Sequence, residues 1–436
     1  MSLSLVITII VAILFFLLSI GLYIGISLAG VGILGLEFLA HRGEWVGPTL
    51  YNSVNSFILT AIPFFLFMGQ IVLHSGLSAR LYRGVSKWTR IVPGGLLHSN
   101  IVSCSIFAAI SGSSPATAAT IGTVAYPEQK KRGYNPSIVT GSLAAGGTLG
   151  ILIPPSINMI IYGAFVGLSV GRLFIAGIVP GIMLTFAFMI AIVFLCTRNK
   201  FLAPRPEKVK LAHYLWESII ALKDVWPFFF IIVVIIGSIY SGIMTPTEAA
   251  AVSCFLAIIL GTLIGKLNLT ILKDSALASL KVTGMYLLIY VGANLMGSAL
   301  SALRIPARLS KIVAASELSS LEIWFGIVIL YLILGCFMDT LAMMLVTLPV
   351  TYPLVVTICG FDPIWFGVQL VLLCEIGMIT PPVGVNIFVL QGIAPEISQG
   401  KIVRGILPFF LLLLASVILF TFFPQLVLFL PTYVFR

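Results

Sequence analysis

Between Ser111 and Asn158 the chain reads SGSSPATAATIGTVAYPEQKKRGYNPSIVTGSLAAGGTLGILIPPSIN. Hydroxyls of Ser111, Ser113 and Ser114 flank Gly112 and precede Pro115, and a second break follows at Ile153-Pro154-Pro155. Both interrupt apolar sequence long enough to lie in a bilayer. Backbone groups freed by Gly and Pro at that depth persist only where protein buries them or a polar cavity solvates them. Hard cations such as sodium take several oxygens, which unwound backbone and hydroxyls supply without a buried net charge. The sodium candidates here are Ser111, Ser113, the carbonyls of Gly150 and Ile153, and Pro155. Ser113, Ser114 and Asn158 are the candidates for a polar solute. Half-helix N-termini expected at Ala116 and Ser156 would turn positive dipole ends toward the site, which favours an anionic solute.

The same pattern returns later in the chain. Ala79-Arg80-Leu81 recurs as Ala307-Arg308-Leu309, Tyr126-Pro127 as Tyr352-Pro353, Gly133-Tyr134-Asn135-Pro136 as Gly360-Phe361-Asp362-Pro363, and Pro154-Pro155 as Pro381-Pro382. The offsets are 228, 226, 227 and 227. Four matches in one order with one spacing indicate a doubled sequence. Asn135 and Asp362 read as N-caps with Pro at the first helical position. The second set of sodium candidates is Gly335, Asp339, Gly377, Thr380 and Val383, with Thr340 and Pro382 facing the solute. Asp339 is a carboxylate inside an apolar segment, which by default marks function. Glu375 fits a functional role, a partner contact or a capping role equally. Gly141, Gly146 and Gly147 read as close-packing positions between helices, and Glu248 as the reciprocal partner of an N-cap at Thr245.

Composition sets the class. Of 436 residues, 60% are hydrophobic and 9% charged, against about 25% charged in soluble domains. The chain is an all-α polytopic membrane protein, with lipid bilayer as its surroundings. Its net charge of +10 reports loop topology and anionic lipid rather than nucleic acid. The apolar run from Leu5 to about Leu39 reads as retained helix rather than a signal peptide. Six scattered cysteines without a C-x-x-C pattern read as small buried hydrophobes, and the four isolated histidines as interface or satisfied residues. No phosphate-binding G-x-x-x-x-G-K-[ST] motif occurs; Gly261 to Leu267 falls one residue short of it. An ion gradient is then the expected power source.

Basic residues orient the chain. Arg198, Lys200, Arg205, Lys208, Lys210 and Lys223 place a connector over 198–226 in the cytoplasm. The first repeat, 1–197, then holds a re-entrant hairpin over about 93–125 and a broken helix over about 136–167. The second, 227–436, holds a hairpin over about 321–352 and a broken helix over about 363–395. Its loop Val355 to Cys359 carries no basic residue where the first copy has Lys130, Lys131 and Arg132, so the second copy is expected to be inverted. Arg304, Arg308 and Lys311 depart from the charge rule. They mirror Arg80, Arg83 and Lys87, and both sets read as interfacial amphipathic helices. Inverted repeats with two broken helices and two opposed hairpins are the architecture of secondary transporters.

The segments SGSSPATAATIG, GILIPPS, GCFMDTLAMMLVTLPV and GMITPPVGVNIFVLQG resemble the large membrane subunit of tripartite ATP-independent periplasmic (TRAP) transporters. That resemblance implies an elevator-type fold of the ion-transporter superfamily in a bacterial inner membrane, with Na+ as coupling ion at each hairpin tip and its paired break. It also implies import of an organic acid of sialic acid or C4-dicarboxylate type. The partners it implies are a periplasmic binding protein (P subunit) and a small four-helix membrane subunit (Q subunit), expected here as a separate chain. The alternatives are a self-sufficient sodium/dicarboxylate symporter of similar fold, and an intramembrane hydrolase using Ser113 with His98, or Asp339.

Overall fold

The computed structural model describes residues 3–207, 209–315 and 318–434; Lys208 of the basic connector lies outside them. Among the described residues, all regular structure is helical. The chain opens with α1 (Leu3–Ser19), α2 (Ile24–Leu34), α3 (Val46–Val54), α4 (Ala61–His74) and α5 (Leu77–Thr89). A first helical pair follows, α6 (Leu96–Ser111) and α7 (Ser114–Lys131), then α8 (Pro136–Leu152), α9 (Ile157–Val166) and α10 (Val170–Arg198). Three long helices come next, α11 (Leu211–Tyr240), α12 (Pro246–Leu263) and α13 (Leu269–Ala302), with the short α14 (Ile305–Ala315) after them. The second pair is α15 (Ser320–Gly335) and α16 (Thr340–Tyr352), and α17 (Pro363–Met378), α18 (Val385–Ile393), α19 (Gln399–Phe422) and α20 (Gln425–Val434) complete the chain. Eight of the described segments are long and apolar enough to cross a membrane.

Local chemistry explains most of the boundaries. The Asn135 side chain accepts from the Ser137 amide and Asp362 from those of Ile364 and Trp365, each ahead of a proline at the first helical position. Thr245 and Glu248 form a reciprocal capping box at the start of α12, and Ser319 and Glu322 another at the start of α15. Such a cap stabilises a helix end by about 1 kcal/mol. Two expectations change. The N-terminal apolar run is two helices, because the backbone turns at Gly21 with φ of 84°; a run of that length exceeds the about 20 residues one crossing needs. The segment after Tyr352 is not a loop but a π-helical continuation over Pro353–Ile358.

Hydrogen bonds between helix ends sort those ends into two faces. On the first, the Asn135 amide donates to the Leu202 carbonyl at 3.0 Å and the Glu207 amide to the Arg90 carbonyl at 3.1 Å. Arg90 pairs with Glu207 and Glu217, and Lys130 with Glu396. Hydrogen bonds from Lys130 and then Tyr126 push the exposed Glu396 carboxyl down to about 2. Gln129 donates to the Leu96 carbonyl at 3.1 Å, so both arms of the α6–α7 pair start and end on this face. On the second face, the Tyr162 hydroxyl donates to the Pro363 carbonyl at 2.7 Å and the Trp365 indole to the Phe420 carbonyl at 2.7 Å. Trp324 of α15 donates to Thr421 at 2.9 Å, and the Tyr162 and Tyr352 rings meet edge to face, which brings the outer ends of the α15–α16 pair to that side. The path α8–α9 therefore runs from first face to second, and α17–α18 begins at the second.

Candidate functional site

Helix α6 ends at Gly112, a left-handed residue with φ of 58°, and the chain reverses into α7 through the extended Ser113. The Ser111 hydroxyl lies 2.8 Å from that of Thr117, and Thr117 donates to the Ser113 carbonyl at 2.8 Å. The tip thus gathers hydroxyls and a carbonyl at a point where one helix presents free C=O groups and the next free N–H groups. The α8–α9 break packs directly behind it. A Cβ placed on Gly112 would lie 3.1 Å from the Pro155 carbonyl oxygen, and one on Gly150 2.7 Å from the Ser113 carbonyl oxygen. Inside the break, Ser156 caps α9 through the Met159 amide and donates to the Ile151 carbonyl. The half-helices start at Ser114 and Ile157 rather than at Ala116 and Ser156, because Ser113 and Ser156 take the capping positions.

The second tip and break meet just as closely. Gly335 and Gly377 pack backbone to backbone, a Cβ on Gly335 lying 2.7 Å from the Gly377 Cα. The Val383 amide donates to the Cys336 carbonyl at 3.1 Å, and Thr380 donates back to Ile376 at 2.6 Å. Asp339 takes the N-cap position of α16, where a negative charge is favoured by the helix dipole. Each break contains a cis Pro–Pro bond. The surroundings of the two halves differ. Ser111 and Ser114 are buried, whereas Phe337 near the second tip is 66% exposed and Pro381 and Pro382 are exposed.

A cavity of about 420 Å³ joins the two tips. Ser111, Ser113 and Thr120 line it from the first hairpin and Asp339 from the second, while Gln70 of α4 and Tyr286 of α13 form the polar part of the opposite wall. No Lys, Arg or His is among its described lining residues, and Asp339 is the one charged group there. Of the solute candidates, Ser113 lines the cavity. Ser114 does not: its hydroxyl accepts from Asn386 at 2.9 Å, and Asn386 also donates to the Ala144 carbonyl. Thr340 lies buried beneath the second tip, its carbonyl accepting from the Cys374 thiol, and the exposed Pro382 is also away from the cavity wall. Asn158 is buried, and its amide nitrogen has no partner among the described residues. Ile153 ends α8 and packs against Gly181 of α10.

The pairing of Ser113 with His98 is ruled out by distance. His98 sits near the start of α6 and bonds the Pro93 carbonyl, and at about 1.5 Å per residue the helix separates it from the tip by about 20 Å.

Asn386, Thr117, Gln70, Tyr286 and the contact of Glu375 with the Ile151 amide were not singled out by sequence reasoning. A polar residue in an apolar run was the available signal for Gln70. For Asn386 it was the likeness of PPVGVN to PPSIN, disguised by one added residue. Asn386→Leu leaves Ser114 without its donor inside the protein, an expected cost of about 1–3 kcal/mol. A lowered unfolding temperature of the detergent-solubilised protein would register it.

Apolar helices long enough to span, two helical pairs meeting two broken helices, and a mostly apolar cavity between them that carries the polar groups of Gln70, Ser111, Ser113, Tyr286 and Asp339 define a multi-pass membrane transporter component. A family model described as the DctM component of the tripartite ATP-independent periplasmic transporter matches residues 11–426. The chain belongs to this family, and is a permease subunit rather than an enzyme. It is 36% identical to the C4-dicarboxylate TRAP transporter large permease protein of Pseudomonas aeruginosa over 88% of each chain. It is 30% identical to the sialic acid large permease protein of Vibrio cholerae over 95% of this chain and 96% of that one. Against the isethionate TRAP transporter permease of Oleidesulfovibrio alaskensis it is 33% identical over 94% of its own length, and spans 64% of that protein. The YdaH transporter of Alcanivorax borkumensis shares the fold, with a TM-score of 0.63 at 14% identity over 89% of this chain and 90% of that one.

Proposed function

We propose that the chain is the large permease subunit of a sodium-coupled TRAP transporter in a bacterial inner membrane, importing an organic acid. The observation that carries this reading is the cavity into which Ser111 and Ser113 of one tip and Asp339 of the other converge. Each tip is backed by its own break, so two oxygen-rich sites flank one solute space. Sodium at the tip carbonyls and at Asp339 would offset the carboxylate's charge, and the N-terminus of α7 would receive the solute's anionic group. The sodium ligands proposed at the first site are Ser111, Ser113, Gly150, Ile153 and Pro155. Those at the second are Gly335, Asp339, Gly377, Thr380 and Val383.

The two halves are read as inverted repeats. The face bearing Arg90, Lys130, Arg132 and Arg198 is assigned to the cytoplasm by the positive-inside rule. In the elevator reading, the hairpins and broken helices move as a block against α4 and α13, which supply the opposite wall of the cavity. A periplasmic binding protein delivering the acid, and a small membrane subunit bracing the scaffold, follow from family membership and belong to the proposal. The substrate class, from C4-dicarboxylate to sialic acid or isethionate, follows the names of the relatives.

Uptake into liposomes holding the chain with its small subunit tests the reading, with binding protein and labelled acid outside. Accumulation is expected with external sodium and is expected to vanish when potassium replaces it. Equal uptake in both salts would refute sodium coupling, and uptake without the binding protein would point to a self-sufficient symporter.

A further inference from the structure

Glu375 lies in α17 with 1% of its surface exposed. One carboxylate oxygen accepts from the Ile151 amide of α8 at 3.2 Å, and the other has no partner among the described residues. It joins none of the ion pairs among those residues. An acidic group so placed within the membrane is costly, and residues of this kind are retained for what they do rather than for packing.

Its neighbours show what it links. Ile151 follows Gly150, which backs the Ser113 carbonyl, and the Ile151 carbonyl accepts from Ser156, the cap of α9. Two residues beyond Glu375, Gly377 packs against Gly335 of the second tip. A continuous path thus runs Ser113, Gly150, Ile151, Glu375, Gly377, Gly335, with Glu375 providing its one side-chain bridge between the α8 and α17 backbones. Either end of that path is backbone that a sodium ion would order.

We propose that Glu375 is a positioning residue that couples the two sodium sites, so that occupation of one break holds the other in its binding shape. The inference rests on the two-site reading above. Coupling between sites is reciprocal: disabling either site must weaken the other, and sodium activation must be cooperative.

The test is sodium-dependent uptake titrated with sodium chloride, choline chloride keeping ionic strength constant, together with the unfolding temperature of the purified protein in choline alone. The shape is read from uptake because thermal shifts rise logarithmically with ligand and do not saturate. Wild type is expected to respond sigmoidally. Glu375→Gln, which keeps an oxygen acceptor for the Ile151 amide, should retain that shape. Glu375→Leu should give a hyperbolic response with half-saturation raised about tenfold, within the usual range of coupling between sites. A Leu variant that is less stable in choline yet as cooperative as wild type would overturn the proposal, since the residue would then serve stability alone. Where the Leu variant does not fold, Glu375→Met, close to Glu in size and likewise without an acceptor for the Ile151 amide, supplies the same decision, and an unchanged sigmoidal response in it would overturn the proposal. Absence of any sodium response in wild type defeats the two-site reading itself, whereas a hyperbolic wild-type response defeats only the coupling.

Discussion

Asp339→Asn is expected to raise the sodium concentration for half-maximal uptake by about 10- to 100-fold while the protein remains folded. Asp339 is the one charged group among the described residues lining the cavity. Hydrogen bonds to charged groups contribute about 1.5–3 kcal/mol against about 1 for neutral ones, and 1.4 kcal/mol is a factor of ten in affinity; loss of a direct charge–cation contact belongs at the upper end of that range. Asn has nearly the same shape and is as good an N-cap as Asp, so α16 keeps its start. Ser113, which precedes α7 as Asp339 precedes α16, is neutral. Ser113→Ala is therefore expected to have the smaller effect, and the difference between the two variants isolates the charge. Sodium-titrated uptake and sodium-induced thermal shift together measure both. An Asp339→Asn protein with wild-type sodium dependence would remove Asp339 from the ion site.

Features set by neighbours in sequence were legible before the structure. The caps at Asn135, Asp362 and Thr245 depend on residues two and three positions away, and the Gly112 and Pro-Pro interruptions are backbone effects of the residues themselves. What was not legible depends on contacts across the chain. Glu375 reaches an amide 224 residues away, and no local pattern distinguishes that contact from a cap. Gln70 and Tyr286 belong to helices that lie outside the tips and breaks and serve as cavity wall only because α4 and α13 face the tips. Ser114 looked equivalent to Ser113 because both are hydroxyls at a tip; its direction is decided by Asn386, which engages it from the second half. The turn at Gly21 was partly visible in the excess length of the apolar run. The π-helical continuation after Tyr352 was hidden because its residues read equally as helix or as an apolar loop.

Gly150→Ala is expected to lower sodium-driven uptake by about a hundredfold. The added methyl would sit 2.7 Å from the Ser113 carbonyl oxygen, 2.9 Å from its carbon and 3.0 Å from the Ser114 Cα, all of them backbone. No side chain can rotate to make room. Helix α8 cannot retreat either, because the Gly405 backbone of α19 already fills the place where a Cβ on Gly141 would lie. The hairpin tip must move instead. Overpacking of this kind costs about 1–3 kcal/mol of stability, which lowers the unfolding temperature without abolishing the fold. Displacing the proposed ligand oxygens by about 1 Å is the larger consequence, and misplacement on that scale reduces rates about a hundredfold in other positioned sites. Gly284→Ala is the matched control: it lies within α13 with no described residue within 4 Å of the added Cβ, and alanine is the better helix former. Uptake by Gly150→Ala equal to that of the control, at equal protein in the liposomes, would show that the first tip can move away from its break without loss. The sodium site proposed between them would then have to lie elsewhere.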